Sequence, residues 1–352
     1  MGHLLLSELI VVSVTLIVVF ALAAWLTLQL SRGRWLVALD HPNDRSLHDT
    51  PTPRTGGLAI VASFALAQSS VVWLYGVSWG GVAVAVAVAM VLAVSLADDL
   101  RDMSVAVRLS VQAGAALVLI VSDFSLRDVV LPGVQWSLSP VLGAIFSLLM
   151  MLWLTNLYNF MDGIDGLAGG MGVIGFAALG VLGAQAGDFG FFVVCAAISA
   201  ACGGFLVFNY PPARIFMGDA GSSVLGLLAA ALSLKADRDG LFPLWLSVLV
   251  FSPFIVDATV TLIRRAIGGE VIWQAHRSHF YQRLVGLGLS HQRATLLEYL
   301  LMLACAASAL LVHDVGDRAQ SLVLFAWAAT YVMLILSISA AERRRISQRN
   351  SR

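Results

Sequence analysis

Asn156-Leu-Tyr-Asn159-Phe-Met-Asp162-Gly163-Ile-Asp165-Gly166-Leu-Ala-Gly169-Gly170 is the stretch whose reading decides the rest. It sets two amides and two carboxylates, with no Lys or Arg among them, between two long apolar segments, where polar groups are costly. Read as helix, Asn156, Asn159 and Asp162 follow at i, i+3 and share one face, and the glycines let another group approach closely. Oxygen ligands on one face suit a hard cation such as Mg²⁺. The same residues also suit a short polar turn between membrane helices. Three further polar stretches weigh between the two readings.

The surroundings are those of a membrane protein. Of 352 residues, 59% are hydrophobic and 12% charged, and the mean hydropathy is +0.88, far outside the soluble range. Uncharged windows of about 20 residues predict spans near 7–30, 56–75, 80–97, 106–122, 138–156, 165–186, 190–208, 220–235, 241–263, 295–312 and 320–341. The fold expected is therefore all-α, a polytopic membrane helical bundle of about eleven transmembrane helices, one domain over 1–352. The uncharged run 56–97 divides at Gly76, Ser78, Gly80 and Gly81. Its Val-Ala alternation over 82–89 has no polar face, which argues against a barrel strand. Residues 7–30 lack a basic lead and are too long for a signal-peptide core, so they read as helix 1. Cys195, Cys202 and Cys305 all fall inside spans without metal or disulfide spacing.

The formal net charge is zero, so bulk electrostatics gives no reason to expect a nucleic-acid partner. The distribution of charge says more. With eleven spans, seventeen of the 21 Lys and Arg fall on one side, against Arg127, Lys235, Arg238 and Arg318 on the other. The positive-inside rule makes the rich side cytoplasmic, with the N-terminus outside and the C-terminus cytoplasmic.

The four polar stretches all fall on that side, and a basic first loop joins them. The first loop, 40–57, is stiffened by prolines and offers Arg45, His48 and Arg54 to a phosphate. Helix 3 runs into Asp98-Asp99-Leu-Arg-Asp102, where crowded carboxylates call for a cation or a role as base. Asp98 and Asp102 share a face if the helix continues, and Arg108 is a further phosphate partner or an interfacial anchor. Asn209–Ser223 precedes helix 8, with Asp219 where an N-cap belongs or where a divalent ion would sit beside exposed N–H groups. The last large loop holds His276, Arg277, His279, Phe280, Tyr281 and Arg283, groups that suit a pyrophosphate and a stacked ring. Asp257 lies deep in helix 9, where it reads either as functional or as a hydrogen bond to a neighbouring helix.

These stretches resemble the polyprenyl-phosphate N-acetylhexosamine-1-phosphate transferases, the integral-membrane glycosyltransferase 4 family. The match runs over about 40–295 through Asp98-Asp99-x-x-Asp102, Asn156-x-x-Asn159-x-x-Asp162-Gly, Phe216-Met-Gly-Asp219-x-Gly-Ser222 and the last loop. The resemblance implies that Asp98 and Asp99 activate the lipid phosphate and that Asn159 and Asp219 hold Mg²⁺, with Mn²⁺ the alternative. It implies pyrophosphate and sugar contacts from His276, Arg277 and His279; the residues themselves add Arg45, His48, Arg54, Asp102, Arg108, Asn156, Asp162 and Arg283 as substrate contacts. The partners implied are a UDP-N-acetylhexosamine and undecaprenyl or another polyprenyl phosphate, in the bacterial inner membrane with the site facing the cytoplasm. A homodimer is compatible with the pattern. The last loop lacks the histidine runs of the peptidoglycan and enterobacterial-antigen branches. It is similar to the branch that starts O-antigen or capsule units, often with 6-deoxy sugars.

The reaction expected is attack of the lipid phosphate on the β-phosphorus of the UDP-sugar with release of UMP, the repulsion of two anions being screened by metal and arginine. Direct attack and an acyl-phosphate on Asp98 are both open. The isoprenoid calls for an apolar groove between helices, for which helices 6–8 are rich enough in Gly and Ala. The competing class is a transporter or lipid flippase, which would place carboxylates deep in the bundle.

Overall fold

A computed structural model describes residues 6–33, 38–40, 51–76, 78–101, 103–271 and 276–350. Arg45, His48 and Asp102 lie outside the described residues. Lipid supplies no hydrogen bonds, so the apolar segments must satisfy their backbone internally as helices. The helices are α1 (Leu6–Ser31), α2 (Gly57–Tyr75), α3 (Trp79–Arg101), α4 (Val105–Val121), α5 (Pro140–Phe160), α6 (Leu167–Gln185), α7 (Phe189–Asn209), α8 (Asp219–Arg238), α9 (Leu244–Val250), α10 (Ser252–Ile267), α11 (Phe280–Gly286), α12 (His291–Val312) and α13 (Asp317–Asn350). Each of the eleven predicted spans falls on one of these helices or on the pair α9–α10. Among the described residues nine helices are long and apolar enough to cross a membrane, ten with that pair counted as one span, and α4 is shorter. The chain is a multi-pass membrane protein.

Local chemistry sets the helix ends. Ser104, Ser139, Asp188 and Ser290 each accept a backbone N–H in the first turn of α4, α5, α7 and α12, satisfying donors that a helix start leaves open. Gly76 takes φ 80° where α2 ends, so the run 56–97 does divide there.

Two features go beyond the sequence reading. The span expected over 241–263 is broken at Phe251 into α9 and α10, bent by 80°. Pro253 stands in the first turn of α10, lacking an N–H and crowding the turn before it. Within the all-α bundle there are also two short antiparallel pairings. β3 (Asp128–Leu131) and β4 (Val134–Ser137) form an antiparallel hairpin between α4 and α5, and β1 (Leu39–Asp40) pairs with β2 (Thr52–Pro53). Pro132-Gly133 supplies the hairpin turn, with Gly133 at φ 76°.

The centre of the bundle is α8. Sixteen of its twenty residues are buried, as expected of a helix apolar on all sides, and α2, α3, α5, α6 and α9 pack around it. It approaches α2 most closely at Gly57 and Gly221, where a Cβ on either glycine would strike the backbone of the other helix. That approach brings the first loop onto the segment before α8. Phe216 N donates to Pro53 O at 2.7 Å, Gly56 N to Phe216 O at 3.0 Å and Gly57 N to Met217 O at 2.8 Å.

Gly57→Ala should therefore destabilise the protein by about 1–3 kcal/mol, the usual cost of overpacking, and lower its melting temperature in detergent. Gly286→Ala, where a Cβ meets nothing, should leave it unchanged or higher. Equal melting of the two variants would refute the close approach of α2 and α8.

Candidate active site

The first turn of α8 is buried, so its free N–H groups need acceptors from elsewhere in the chain. They come from α3. Asp99, whose side chain is 1% exposed, accepts Ala220 N at Oδ2 (3.1 Å) and Asp219 N at Oδ1 (3.3 Å). Arg54 locks this junction, donating from Nη2 to Asp99 O at 2.6 Å, with Nε 3.6 Å from Oδ1. The sequence placed Asp219 at the N-cap. In the structure Gly218 holds that position and Asp219 is the first helical residue, because Asp99 supplies the cap and Asp219 is left to face the site.

Asp219 meets three other groups. Arg108 Nη1 lies 2.5 Å from Asp98 Oδ2 and 3.4 Å from Asp219 Oδ2, bridging the two carboxylates. The Asn159 amide and the Asp98 carboxyl are also within hydrogen-bond reach of Asp219. Asn159 Nδ2 in turn donates to Ser222 Oγ at 3.0 Å. Asp98 is oriented by Met103 N, 2.6 Å from its Oδ1. The end of α5 thus meets the end of α3 and the start of α8.

Asp162, just beyond α5, is the fourth carboxylate. Its carboxyl is pushed up to about 8, by burial first and then by Asp219, Asp99 and Asp165. Carboxylates crowded to that degree fit a cation, and the donors are all oxygens, as Mg²⁺ prefers. Among the described residues no three His, Cys, Asp or Glu gather into a complete metal site. Mg²⁺ does not require one. It is held through one or two carboxylates plus water and substrate phosphate, which Asp219, Asn159 and a phosphate would provide.

Asn156 is placed elsewhere than its spacing suggested. Its Nδ2 donates to Gln112 Oε1 on α4 at 2.7 Å and to Leu152 O at 2.8 Å, tying α5 to α4. Asp165 and Asn209, quoted in the polar stretches without a role, join those stretches: Asp165 Oδ2 accepts Ala213 N at 2.9 Å, and Asn209 spans from Gly166 N (3.0 Å) to Ile215 O (2.9 Å).

The last loop is organised by Asp257, which caps α11 much as Asp99 caps α8. Its Oδ1 accepts Phe280 N at 2.9 Å and lies 3.1 Å from His279 Nδ1, while Oδ2 accepts Tyr281 N at 3.0 Å. Of the two readings of Asp257, the structure shows the hydrogen bond. Tyr281 then reaches Phe160 O at 3.2 Å across Gly163, where any Cβ would collide with its hydroxyl. The loop is thereby held against the Asp162-Gly163 turn.

Several expected substrate groups are occupied here. Tyr281 is fully buried and Phe280 nearly so, so neither ring offers a face to a sugar. Arg283 stacks on Phe280 and pairs with Glu342 and Ser339 of α13, which leaves it an anchor rather than a pyrophosphate donor. His279 is buried between Asp257, Tyr281 and His276. His276 is half-buried and Arg277 exposed. Glu342 and Gln112 went unnoticed because their roles depend on partners far away in the chain.

Comparison with known proteins points the same way. Residues 81–237 match the family model described as glycosyl transferase family 4. The chain is 28% identical to a protein of Bacillus subtilis named probable undecaprenyl-phosphate N-acetylglucosaminyl 1-phosphate transferase, covering 86% of this chain and 82% of that one. It is 33% identical to a decaprenyl-phosphate N-acetylglucosaminephosphotransferase of Mycolicibacterium smegmatis, over 85% and 81%. A protein of the same name from Mycobacterium tuberculosis is 32% identical over 75% and 73%.

The capping of α11 is directly measurable. Asp257→Ala removes acceptors from two backbone donors, which should loosen α11 by roughly 1.5 kcal/mol. Backbone hydrogen exchange over 279–286 should then rise about tenfold while the start of α8 stays protected. Unchanged exchange in α11 would show that the cap does not hold the loop.

Proposed function

From the premise that this chain belongs to glycosyl transferase family 4, the polyprenyl-phosphate N-acetylhexosamine-1-phosphate transferases, we propose that it joins a sugar-1-phosphate from a UDP-N-acetylhexosamine to a polyprenyl phosphate. The observation that carries the proposal is the meeting of Asp98, Arg108, Asn159 and Asp219 at the start of the buried helix α8. An oxygen of the lipid phosphate forms a bond to the β-phosphorus of the nucleotide sugar. The bond from that phosphorus to the bridging oxygen breaks, and UMP leaves with the electron pair.

Each group has a task set by its surroundings. Asp98 faces the site edge and takes the proton of the lipid phosphate when one is present. Arg108, shared between Asp98 and Asp219, turns to the incoming phosphate and offsets part of its charge. Asp99 and Arg54 keep the start of α8 in place. Asp219 and Asn159 would hold Mg²⁺, which supplies screening between two anionic reactants. His276 and Arg277 present the loop to the nucleotide sugar.

N-acetylglucosamine is the sugar in the relatives' names and the first to test. The 6-deoxy preference suggested by the loop pattern would need an apolar wall other than Phe280 and Tyr281, since both are buried. The first loop, to Gly57, is the alternative place for it. A transporter is the weaker reading, because the deep carboxylate it would use, Asp257, is taken up by α11.

The proposal is tested by UMP-dependent exchange of labelled sugar phosphate in membranes containing only this protein. Exchange should require a divalent cation and fall about 10²-fold or more in Asp219→Asn, since a lost charged ligand removes several kcal/mol of charge stabilisation. Full exchange by the variant, or in the presence of a chelator, would sink the assignment. The side of the membrane is testable separately. With the three native cysteines removed, a cysteine at Gln292 should react with an impermeant thiol reagent only in opened cells, and one at Gln135 in intact cells. The opposite pattern would put the site on the wrong side for a cytosolic nucleotide.

A further inference from the structure

The helices that bring Arg54, Asp98 and Asp219 together enclose something else toward their other ends. There α2, α3, α7 and α8 line a cavity of about 1000 Å³. Its walls are apolar, from Leu92, Val88 and Val84 on α3 to Leu228 and Leu232 on α8. On α3, Ala85 and Ala89 leave the wall open on that side. From Leu92 to Gly80 the cavity follows twelve residues of α3, about 18 Å at ~1.5 Å per residue. Half of a hydrocarbon core of ~30 Å is about 15 Å. The cavity is one leaflet deep, in the leaflet away from the carboxylates.

Neither vacancy nor water suits such a space. It has room for roughly thirty waters at ~30 Å³ each, yet buried water needs polar partners and these walls offer few. Alkyl chains surround the protein and need none.

The polar groups lie at the far end and name the head that belongs there. Lys235, Asp188 and Asp239 line the cavity where α8 ends and α7 begins. Lys235 Nζ lies 2.7 Å from Asp239 Oδ1 and 5.7 Å from the centre of the Phe124 ring. One cation with two carboxylates complements a head that carries both a phosphate and an ammonium, and is poorly matched to a purely anionic one. Below them Gln68 lines the cavity, and its Nε2 is buried without a hydrogen-bond partner, a donor suited to an ester carbonyl. The polyprenyl acceptor does not meet these needs, since its phosphate is required at the opposite end of the helices and its tail has no carbonyl.

The geometry points to a binding site for a zwitterionic phospholipid of the leaflet opposite the carboxylates. An acyl chain fills the cavity as far as Leu92, an ester carbonyl accepts from Gln68, the phosphate lies at Lys235 and the ammonium lies between Asp188 and Asp239. The choice of a phospholipid over the polyprenyl acceptor rests in part on the proposed reaction, whereas the apolar cavity and the unpartnered Gln68 Nε2 do not.

The test begins with protein washed exhaustively in mild detergent and analysed for retained lipid by mass spectrometry. About one phosphatidylethanolamine per chain is expected. Ala85→Phe with Ala89→Phe fills the cavity and should reduce that lipid at least tenfold without lowering the melting temperature. Should the filled variant fail to fold, Lys235→Glu alters only the head-group end and should reduce retention by a similar factor. After delipidation, the wild-type protein should recover phosphatidylethanolamine from mixed vesicles in preference to phosphatidylglycerol. Retention unchanged by a folded filled variant or by Lys235→Glu would overturn the proposal, as would equal uptake of phosphatidylglycerol or replacement of the phospholipid by undecaprenyl phosphate.

Discussion

A helix that begins inside a protein within a membrane leaves N–H groups that water cannot reach, and the end of the bundle that holds the site is built around answering that need. The start of α8 is met by Asp99 from α3, and the start of α11 by Asp257 from α10. Both carboxylates are buried and both come from another helix, so each works as a cap and as a joint between elements. A carboxylate in such a place is stabilised by the partial positive charge of the helix start. Removing either would leave buried donors open and separate two elements of the site at once.

This accounting divides the carboxylates by function. Asp99 and Asp257 are engaged with backbone groups, whereas Asp98, Asp162 and Asp219 stand close together with Arg108 the one cation bridging two of them. Charge left over in that way is what a phosphate and its metal can use, and it lies at the end of the most deeply buried helix. A close approach of α2 and α8 through Gly57 and Gly221 completes the enclosure, because it carries Arg54 onto Asp99.

The helices were legible from sequence because lipid leaves so few alternatives. An uncharged window of sufficient length has to be a helix there, and the spans from α1 to α8 fall close to where hydropathy puts them. The hairpin at 128–137 escaped notice since its alternation is short and sits among polar residues. The break at Phe251 was masked by hydropathy that runs through it, although Pro253 was the signal. Within the site the motifs identified which residues gather, but not how they divide the work. Asp98 and Asp99 are neighbours in sequence and chemically alike; only the packing of α8 shows that one caps a helix and the other faces Arg108. Phe280, Tyr281 and Arg283 have the chemistry of a sugar and pyrophosphate site, and tertiary contacts with Phe160 and Glu342 turn it to another use.

The anchoring of α11 to α13 also has a bearing on time. The loop carrying His276 and Arg277 precedes α11, but Glu342 and Arg345, which pair with Arg283 and the Gly286 carbonyl, are translated only after α12 and most of α13. Folding during synthesis proceeds from the N-terminus, so the carboxylate cluster can assemble while the loop still lacks its outer support. The order of manufacture thus separates two parts of the bundle: the carboxylate cluster at the start of α8 is complete first, and the loop with His276 and Arg277 is secured only once the last of these helices has emerged from the ribosome and docked.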